Sequence, residues 1–282
     1  MTVLSLTLVI WLGALAAGLL GSLTGLGGGV VIVPLLTLVL HVDLRYAIGA
    51  SLLAVIATSS GAAAAYVREG LTNVRAAMLL EVATTLGALG GATLAASVPT
   101  RFVAVVFGVV IGLSALLALH RRSAIDSRRE PPTPDSLALR LHLDSTYPGP
   151  GGTPIGYRIR HVPAGFALMG LAGLLSGLLG IGSGALKVLA MDQAMGFPFK
   201  VSTTTSNFMI GVTAAASAGV YLSRGYVDPG LALPVVLGVL PGALLGARML
   251  PRTKSKALRA LFAAAILAIG IEMIVNGVRG TV

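Results

Sequence analysis

A single lysine, Lys187, lies where the sequence otherwise avoids charge. It follows Gly184 by three residues, at the start of a short apolar run over 184–195. A lysine amino group placed away from water is costly, and such a residue is by default a candidate for a functional role. The alternative is that its long aliphatic side chain reaches back to water and keeps the charge solvated.

Glycine is concentrated immediately before this lysine and again near the start of the chain. Gly-Ile-Gly-Ser-Gly occupies 180–184, and Gly-Leu-Gly-Gly-Gly occupies 25–29, before a second short apolar run over 29–40. Such density lets the backbone leave helical geometry. The short helix after each break would begin with free N–H groups and a partial positive charge, which suit an anion. The alternative is that the glycines only allow close helix packing. The candidate residues are Gly27, Gly28, Gly29, Gly182, Ser183 and Gly184.

A polar patch follows over 202–207, where six consecutive residues have hydroxyl or amide side chains. Six residues in a row cover every side of a helix, so some of them are expected to line a cavity. The alternative is that they only join helices together. Glu81, in another apolar run, could relay protons or couple an ion, or could pair with an arginine. The patch contributes Thr204, Thr205, Ser206 and Asn207 to the candidate site.

The composition places these residues in a membrane protein. Hydrophobic residues make up 55% of the chain and charged residues 11%, against about 25% charged in soluble domains. Mean hydropathy is +0.92. The net charge of +10 lies between apolar runs and aromatic residues are only 5%, so we expect no nucleic-acid partner. Without cysteine the chain has no disulfide or thiolate site, and we expect no metal or cofactor.

Eight apolar runs approach the 20 residues or so that cross a bilayer. The first lacks Lys or Arg before its apolar stretch, so we assign it to the fold rather than to a signal peptide. Residues 121–160 hold seven arginines and are predicted to be a basic cytoplasmic connector between two transmembrane domains, 1–120 and 161–282. The alternative for this connector is a mobile linker. The eight runs are 3–24, 46–66, 76–96, 101–119, 162–181, 201–222, 229–250 and 257–276.

The two transmembrane domains are predicted to be repeats of each other. A shift of 155 residues superposes five glycines and a tyrosine without a gap. Apolar residues align easily by chance, but fixed glycine spacing over some seventy residues does not. The superposed pairs include Gly25/Gly180, Gly27/Gly182, Gly29/Gly184, Tyr66/Tyr221 and Gly70/Gly225.

Charge predicts that the repeats are inverted. The short runs 29–40 and 184–195 can be counted as segments that also reverse the direction of the chain. Each half then has an odd number of segments that run through the membrane in alternating directions. Fifteen Lys and Arg residues then lie on the cytoplasmic side and four on the other, as the positive-inside rule requires. The predicted fold is therefore an all-α polytopic membrane protein of two inverted repeats, each a glycine-broken helix hairpin followed by three spanning helices.

The sequence over 18–34, Gly-Leu-Leu-Gly-Ser-Leu-Thr-Gly-Leu-Gly-Gly-Gly-Val-Val-Ile-Val-Pro, resembles the sulfite exporter TauE/SafE family of membrane permeases, of the toluene sulfonate uptake type. The second half is similar through 180–184, Pro-Phe-Lys-Val at 198–201 and Thr-Ser-Asn-Phe-Met at 205–209. Two positions depart from the pattern. Ser183 stands where the family usually has glycine, and Leu189 stands where the first half has Pro34.

The resemblance implies a permease for sulfite, a sulfonate, sulfoacetate or a related anion in the bacterial inner membrane. The anion would bind between the glycine breaks, and rocking of inverted halves would give alternating access. No phosphate-binding loop of the ATPase type is present, so we expect an H⁺ or Na⁺ gradient, or the substrate's own gradient, to supply the energy. The alternatives are an uncoupled anion channel and, less favoured because the histidines lie at span ends or in the connector, a membrane-embedded enzyme acting on a phosphate or lipid. The sequence does not determine the oligomeric state.

The inverted arrangement makes a prediction about sidedness. Reporter fusions after Gly149 and after Val282 are expected on opposite sides of the membrane, because the connector is inside and the C-terminus outside. Alkaline phosphatase activity and green fluorescent protein fluorescence, compared at each position, report the side. The same side for both fusions would exclude the inverted arrangement.

Overall fold

The computed structural model describes residues 3–24, 28–120, 135–149, 153–249 and 256–280, and these are mostly helical. The long helices lie on the eight apolar runs of the sequence. They are α1 (Val3–Thr24), α3 (Leu44–Arg68), α4 (Val74–Ala95), α5 (Thr100–His120), α7 (Val162–Leu179), α9 (Phe199–Ser223), α10 (Pro229–Met249) and α11 (Lys256–Arg279). Three shorter helices are α2 (Gly29–Pro34), α6 (Ser136–Arg140) and α8 (Gly184–Leu189).

Five helices of the described part are long and apolar enough to cross a membrane: α1, α3, α4, α7 and α10. Helix α9 has 25 residues, but serine and threonine lower its hydropathy. The chain is therefore a multi-pass membrane protein. Its polar helix α9 lies among the apolar ones, since α9 packs on both α3 and α4.

The two short runs of the sequence form half-length helices that end in the same way. Helices α2 and α8 each continue into a π-helical turn, over Leu35–Val39 and Ala190–Ala194. At about 1.5 Å per residue, eleven residues reach only about half of the 30 Å hydrocarbon layer. At the end of the first half-helix, the Val42 N–H donates to the Leu36 carbonyl at 2.9 Å. At the end of the second, the Phe197 N–H donates to the Met191 carbonyl at 3.0 Å. These partners are 155 residues apart.

The helices pack in pairs, and each pair joins one helix of the first half of the chain to one helix of the second half. Helix α1 lies along α10, α4 along α7 and α5 along α11, while α3 and α9 pack on each other in the centre. Helix α3 also contacts α10, as α9 contacts α4. Glycines let the outer pairs approach closely: a Cβ on Gly242 would collide with the Leu15 carbonyl, and one on Gly177 with the Ala88 carbonyl. Close packing of this kind gains van der Waals contact between the helices. The hydrophobic effect does not hold helices together in a bilayer, because the lipid tails are apolar as well.

The order of contacts gives the relative directions of the helices. Gly242 lies against Leu15 and Gly246 against Leu19, so α1 and α10 run parallel. Along α4 and α9, the carbonyls of Leu71 and then Ala92 accept from Thr204 and then Arg224, so these two helices also run parallel.

Helices α3 and α9 run antiparallel. Ser59, in the middle of α3, bonds Asn207 near the start of α9, whereas Arg45 at the start of α3 reaches Tyr226 just after the end of α9. Helices α5 and α11 are antiparallel as well, because Gly270 lies against Gly108 and Gly277 lies against the earlier residue Arg101.

Part of the predicted connector packs against the membrane helices. Strands β1 (Ser145–Pro148) and β2 (Pro154–Tyr157) form an antiparallel hairpin with Ser145 opposite Tyr157. Leu143 and Ile159 are buried in one cluster with Phe197, at the end of the second half-helix. A mobile linker is therefore wrong for 135–149 and 153–160; the arginines of 121–134 lie outside the described residues. Pro148, Pro154 and Gly156 of this Pro- and Gly-rich stretch lie in the two strands.

Asp135 and Asn73 attach this hairpin region to the helices. The Asp135 carboxylate accepts the backbone N–H groups of Leu137 and Val162, joining α6 to α7, and the bond from Val162 lowers the pKa of Asp135 below its ordinary value. Asn73 caps α4 through the Ala76 N–H and donates to the Leu143 carbonyl and the Tyr157 hydroxyl, at 2.8 and 2.9 Å.

We expect Asn73→Ala to lower the thermal stability of the protein. It removes the helix cap and the donor to the Leu143 carbonyl and the Tyr157 hydroxyl, and a buried acceptor left unpaired costs about 1–3 kcal/mol. The measurement is Tm in detergent. The matched control is Asp228→Ala, 155 residues later, where an exposed carboxylate caps only the Gly230 N–H. An equal fall in Tm for both variants would mean that Asn73 acts as a cap alone.

Candidate functional site

The second glycine break has a left-handed backbone. Gly180, Gly182 and Ser183 have φ values of +68°, +71° and +44°. Glycine adopts this conformation freely, but a serine there is strained. The Ser183 hydroxyl donates to the Ala172 carbonyl at 2.6 Å. Its counterpart in the first half, Gly28, is right-handed with φ −66°, so the two breaks differ; Gly27 lies outside the described residues.

The two breaks meet at the centre of the protein. The Ser51 hydroxyl of α3 donates to the Gly180 carbonyl at 2.8 Å. A Cβ on Gly29 would lie 2.6 Å from the Ser51 oxygen and 2.9 Å from the Gly180 carbonyl oxygen. Only glycine fits at 29. The first half-helix therefore begins against the backbone of the second break.

Lys187 is fully buried, with 0% of its surface exposed, so the alternative that its side chain reaches water is wrong. Its Nζ donates to the Thr213 hydroxyl at 2.5 Å, and that hydroxyl lies 2.7 Å from Oε1 of Glu81. Thr85 also donates to Oε1, at 3.2 Å. Because a hydroxyl accepts with its lone pairs while donating its proton, Thr213 connects the ammonium of α8 to the carboxylate of α4.

Three buried polar side-chain atoms of α4, α7 and α9 have no hydrogen-bond partner: Glu81 Oε2, Ser176 Oγ and Asn207 Nδ2. Asn207 is 2% exposed and Ser176 0%. Buried polar atoms are normally paired, because each unpaired one costs free energy. The unpaired amide N–H of Asn207 and hydroxyl of Ser176 are donors that an oxyanion could use.

The polar patch of α9 is buried along its whole length, and its hydroxyls bond the protein itself. Thr204 donates to the Leu71 carbonyl at 2.7 Å, Thr205 accepts the Asn73 N–H at 3.1 Å, and Ser206 donates to the Gly184 carbonyl at 3.2 Å. Ser206 and Asn207 thus lie with Gly184 and Lys187 at the break. Thr204 and Thr205 lie instead where α9 meets the start of α4.

Sequence reasoning missed Thr213, Thr85 and Ser176 as members of this group. A signal for Thr213 was present: it follows Ser206 by seven residues, which places both on one face of α9. Thr85 follows Glu81 by one helical turn on α4. Ser176 lies on α7, and the burial of its hydroxyl without a partner follows only from tertiary packing.

A narrow gap lies beside the second break, between α8 and α5. Ser183 and Gly184 line it on one side and Ser114 on the other, and Val30 of α2 also contributes. Its remaining walls are aliphatic. Among the residues that the structure describes, no three His, Cys, Asp or Glu side chains are grouped as a metal would require.

These features describe a polytopic membrane protein with two broken helices and a charged centre. The family model of the sulfite exporter TauE/SafE family matches residues 10–273. The chain belongs to this family.

The chain is also similar to proteins that are named as probable membrane transporters. YunE of Bacillus subtilis is 29% identical over 98% of this chain and 99% of its own. YdhB of the same organism is 27% identical over 82% and 85%, and a protein of Xylella fastidiosa is 26% identical over 97% of each chain. No solved structure matches the chain significantly. The family and these names indicate a membrane transporter.

The contact between the two breaks predicts that Gly29→Ala reduces both Tm and transport, because the added Cβ must displace Ser51 or the Gly180 backbone. Gly90→Ala in α4 is the matched control, since a Cβ there meets nothing within 4 Å. Replacing glycine by alanine within a helix, where the added methyl group has open space, stabilises the helix by up to about 1 kcal/mol. A Gly29→Ala protein as stable as the Gly90→Ala protein would exclude the close contact.

Proposed function

We propose that this protein is a secondary transporter that moves a small sulfur-containing or organic anion, such as sulfite or a sulfonate, across the bacterial inner membrane. The observation that carries the proposal is the buried ammonium of Lys187, one turn into a half-helix that follows a glycine break. A charge with no access to water needs a partner of opposite sign. A substrate anion is such a partner, and it would reach Lys187 when the halves of the protein open.

The chemistry of the surrounding groups suits an oxyanion. A sulfonate or sulfite has three acceptor oxygens. Lys187 and the unpaired amide N–H of Asn207 are the donors offered to it. The hydroxyls of Ser206 and Ser183 donate to the Gly184 and Ala172 carbonyls, and they would turn to the anion when it binds. Backbone N–H groups at Gly28, Gly29, Gly182 and Gly184 complete the proposed site, with Gly27 included from the sequence. Thr204 and Thr205 stay in the proposal as donors that are released when α9 moves from α4.

Glu81 is the proposed coupling residue. Its carboxylate reaches Lys187 through Thr213, and its second oxygen has no partner. A substrate anion and an ionised Glu81 would compete for one ammonium. Protonation of Glu81 would release Lys187 for the substrate, which couples anion binding to a proton.

The directions of the helices support the inverted-repeat arrangement. Helix α3, like α1, runs parallel to α10, because Gly49 lies against Tyr226 and Gly61 against Leu240. Helix α7, like α9, runs parallel to α4, because Gly87 lies against Gly170 and Gly91 against Leu174. Each helix of the first half therefore has its counterpart in the second half running the opposite way. Because α1 and α3 point the same way, the half-helix between them must return the chain, and α8 does so in the second half. Rocking of such halves gives alternating access.

Substitution of Lys187 tests the proposal. Lys187→Met keeps the apolar side chain and removes the charge, so binding and uptake of sulfite or methanesulfonate by proteoliposomes should weaken. Loss of one charge-assisted hydrogen bond, about 1.5–3 kcal/mol, corresponds to about tenfold to over a hundredfold in Kd. Lys187→Arg should retain part of the affinity, since the charge stays and the geometry changes.

The double variant Lys187→Met/Glu81→Gln is the matched control, because it leaves no unpaired buried charge. Lys187→Met alone leaves the buried Glu81 carboxylate unpaired and should lower Tm. The double variant should restore Tm without restoring anion binding. Wild-type affinity in Lys187→Met at equal protein amounts would place the anion elsewhere. Flux that saturates with substrate distinguishes a transporter from a channel in the same vesicles.

A further inference from the structure

A second cationic site lies at the face of the protein opposite the connector. Helix α4 starts just after its capping residue Asn73, beside the connector hairpin, and its 22 residues end at a small cleft about 30 Å away. The cleft is narrow and opens to solvent. Two arginines and two tyrosines line it, together with alanines at the end of α4. These lining residues are Arg45, Arg224, Tyr221, Tyr226, Ala92 and Ala95.

The two arginines are held differently. Arg224 Nη1 donates to the carbonyls of Ala92 and Thr93, at 3.3 and 3.2 Å, which fixes its guanidinium at the rim. Arg45 lies with its guanidinium carbon 5.6 Å from the Tyr226 ring centre, and its Nη1 donates to the Tyr226 hydroxyl at 3.3 Å. Its Nε is buried and has no hydrogen-bond partner. An unpaired, buried guanidinium N–H beside a second arginine is a site for an anion.

The nearby carboxylates do not neutralise this pair directly. Asp43 accepts the backbone N–H of Arg45, and Asp228 accepts that of Gly230, so each acts as a cap at the start of its own helix. Alanines at the end of α4 leave space where larger side chains would fill the cleft.

The sequence repeat shows that this site belongs to one face only. The residues 155 positions away from Arg45, Tyr221 and Arg224 are Lys200, Tyr66 and Glu69. The equivalent place on the connector side therefore has one cation and one carboxylate in place of two arginines. Packing of the repeat thus does not require the arginine pair. By the charge pattern of the sequence, the pair also lies on the side where only four basic residues are found.

We propose that Arg45, Arg224 and Tyr226 form a peripheral binding site for a small oxyanion, which receives or releases the transported anion at the mouth opposite the connector. The inference rests on the proposed anion transport for its role, but the binding itself is independent of Lys187. Two guanidinium groups and a tyrosine ring recognise a sulfonate or sulfate by charge and by planar hydrogen bonding. Helix α3 begins at this cleft and helices α4 and α9 end there, so their relative movement would open or close it.

Arginine modification tests the site directly. The purified full-length protein is treated with phenylglyoxal, with and without methanesulfonate, at constant ionic strength set with gluconate, and each arginine is followed by mass spectrometry. Methanesulfonate should slow modification of Arg45 and Arg224 several-fold and leave Arg101 and Arg279, on the same face, unchanged. Equal protection of all four, or of none, would overturn the proposal.

Variants separate this site from the central one. Arg45→Gln should raise the methanesulfonate concentration that protects Arg224 by about tenfold or more, as expected for the loss of a charge-assisted hydrogen bond. The matched control Arg101→Gln, which packs near Gly280, should have no effect. Protection should persist in Lys187→Met. If Lys187→Met transports normally, the central site is wrong while the peripheral site stands; if Arg45→Gln leaves the protection of Arg224 unchanged, the peripheral site is wrong.

Discussion

The buried charge of Lys187 is the constraint on which the centre of this protein depends. An ammonium without water must be compensated, because burial of an unpaired charge costs several kcal/mol. The compensation comes from Glu81 on α4, through the hydroxyl of Thr213 on α9. Three helices, α4, α8 and α9, must therefore keep their relative positions for the lysine to stay buried, and any ligand that replaces the carboxylate as its partner changes what holds these helices together.

Glycine determines how closely the helices of the protein approach one another. The outer pairs α1/α10 and α4/α7 meet backbone to backbone, with carbonyls where a Cβ would lie on Gly242 and Gly177. At the breaks, glycine serves a second purpose. Gly180 and Gly182 have left-handed backbones, so the chain can turn from α7 into α8 and expose the first N–H groups of the half-helix within the protein, where non-helical backbone is tolerated.

The two halves share a backbone pattern but divide the chemistry unequally. Lys187 stands where the first half has Ile32, and Ser183 has a left-handed backbone where Gly28 is right-handed. At the periphery the inequality is repeated, with Arg224 on one face and Glu69 at the equivalent place on the other. A backbone pattern that recurs with unequal side chains gives the two halves different chemistry at equivalent positions.

The sequence by itself determined the helices, the glycine breaks and the unusual position of Lys187. Apolar runs of about 20 residues predict spanning helices because a bilayer leaves the backbone no other way to satisfy its hydrogen bonds. The 155-residue repeat is likewise visible as fixed glycine spacing. Family membership followed from the same glycine-rich segments, since a backbone that must break at one place tolerates few other residues there.

Only the tertiary structure decided which side chains meet. Glu81 and Thr213 are 132 residues apart, and either a proton relay or an arginine partner for Glu81 fitted the sequence. The hydroxyls at 204–206 could have faced a cavity, but they bond the protein. The connector hairpin was also hidden, because its order comes from burial of Leu143 and Ile159 against Phe197. Local pattern predicts an element from its own residues, whereas the partner of a polar group depends on which distant helix packs beside it.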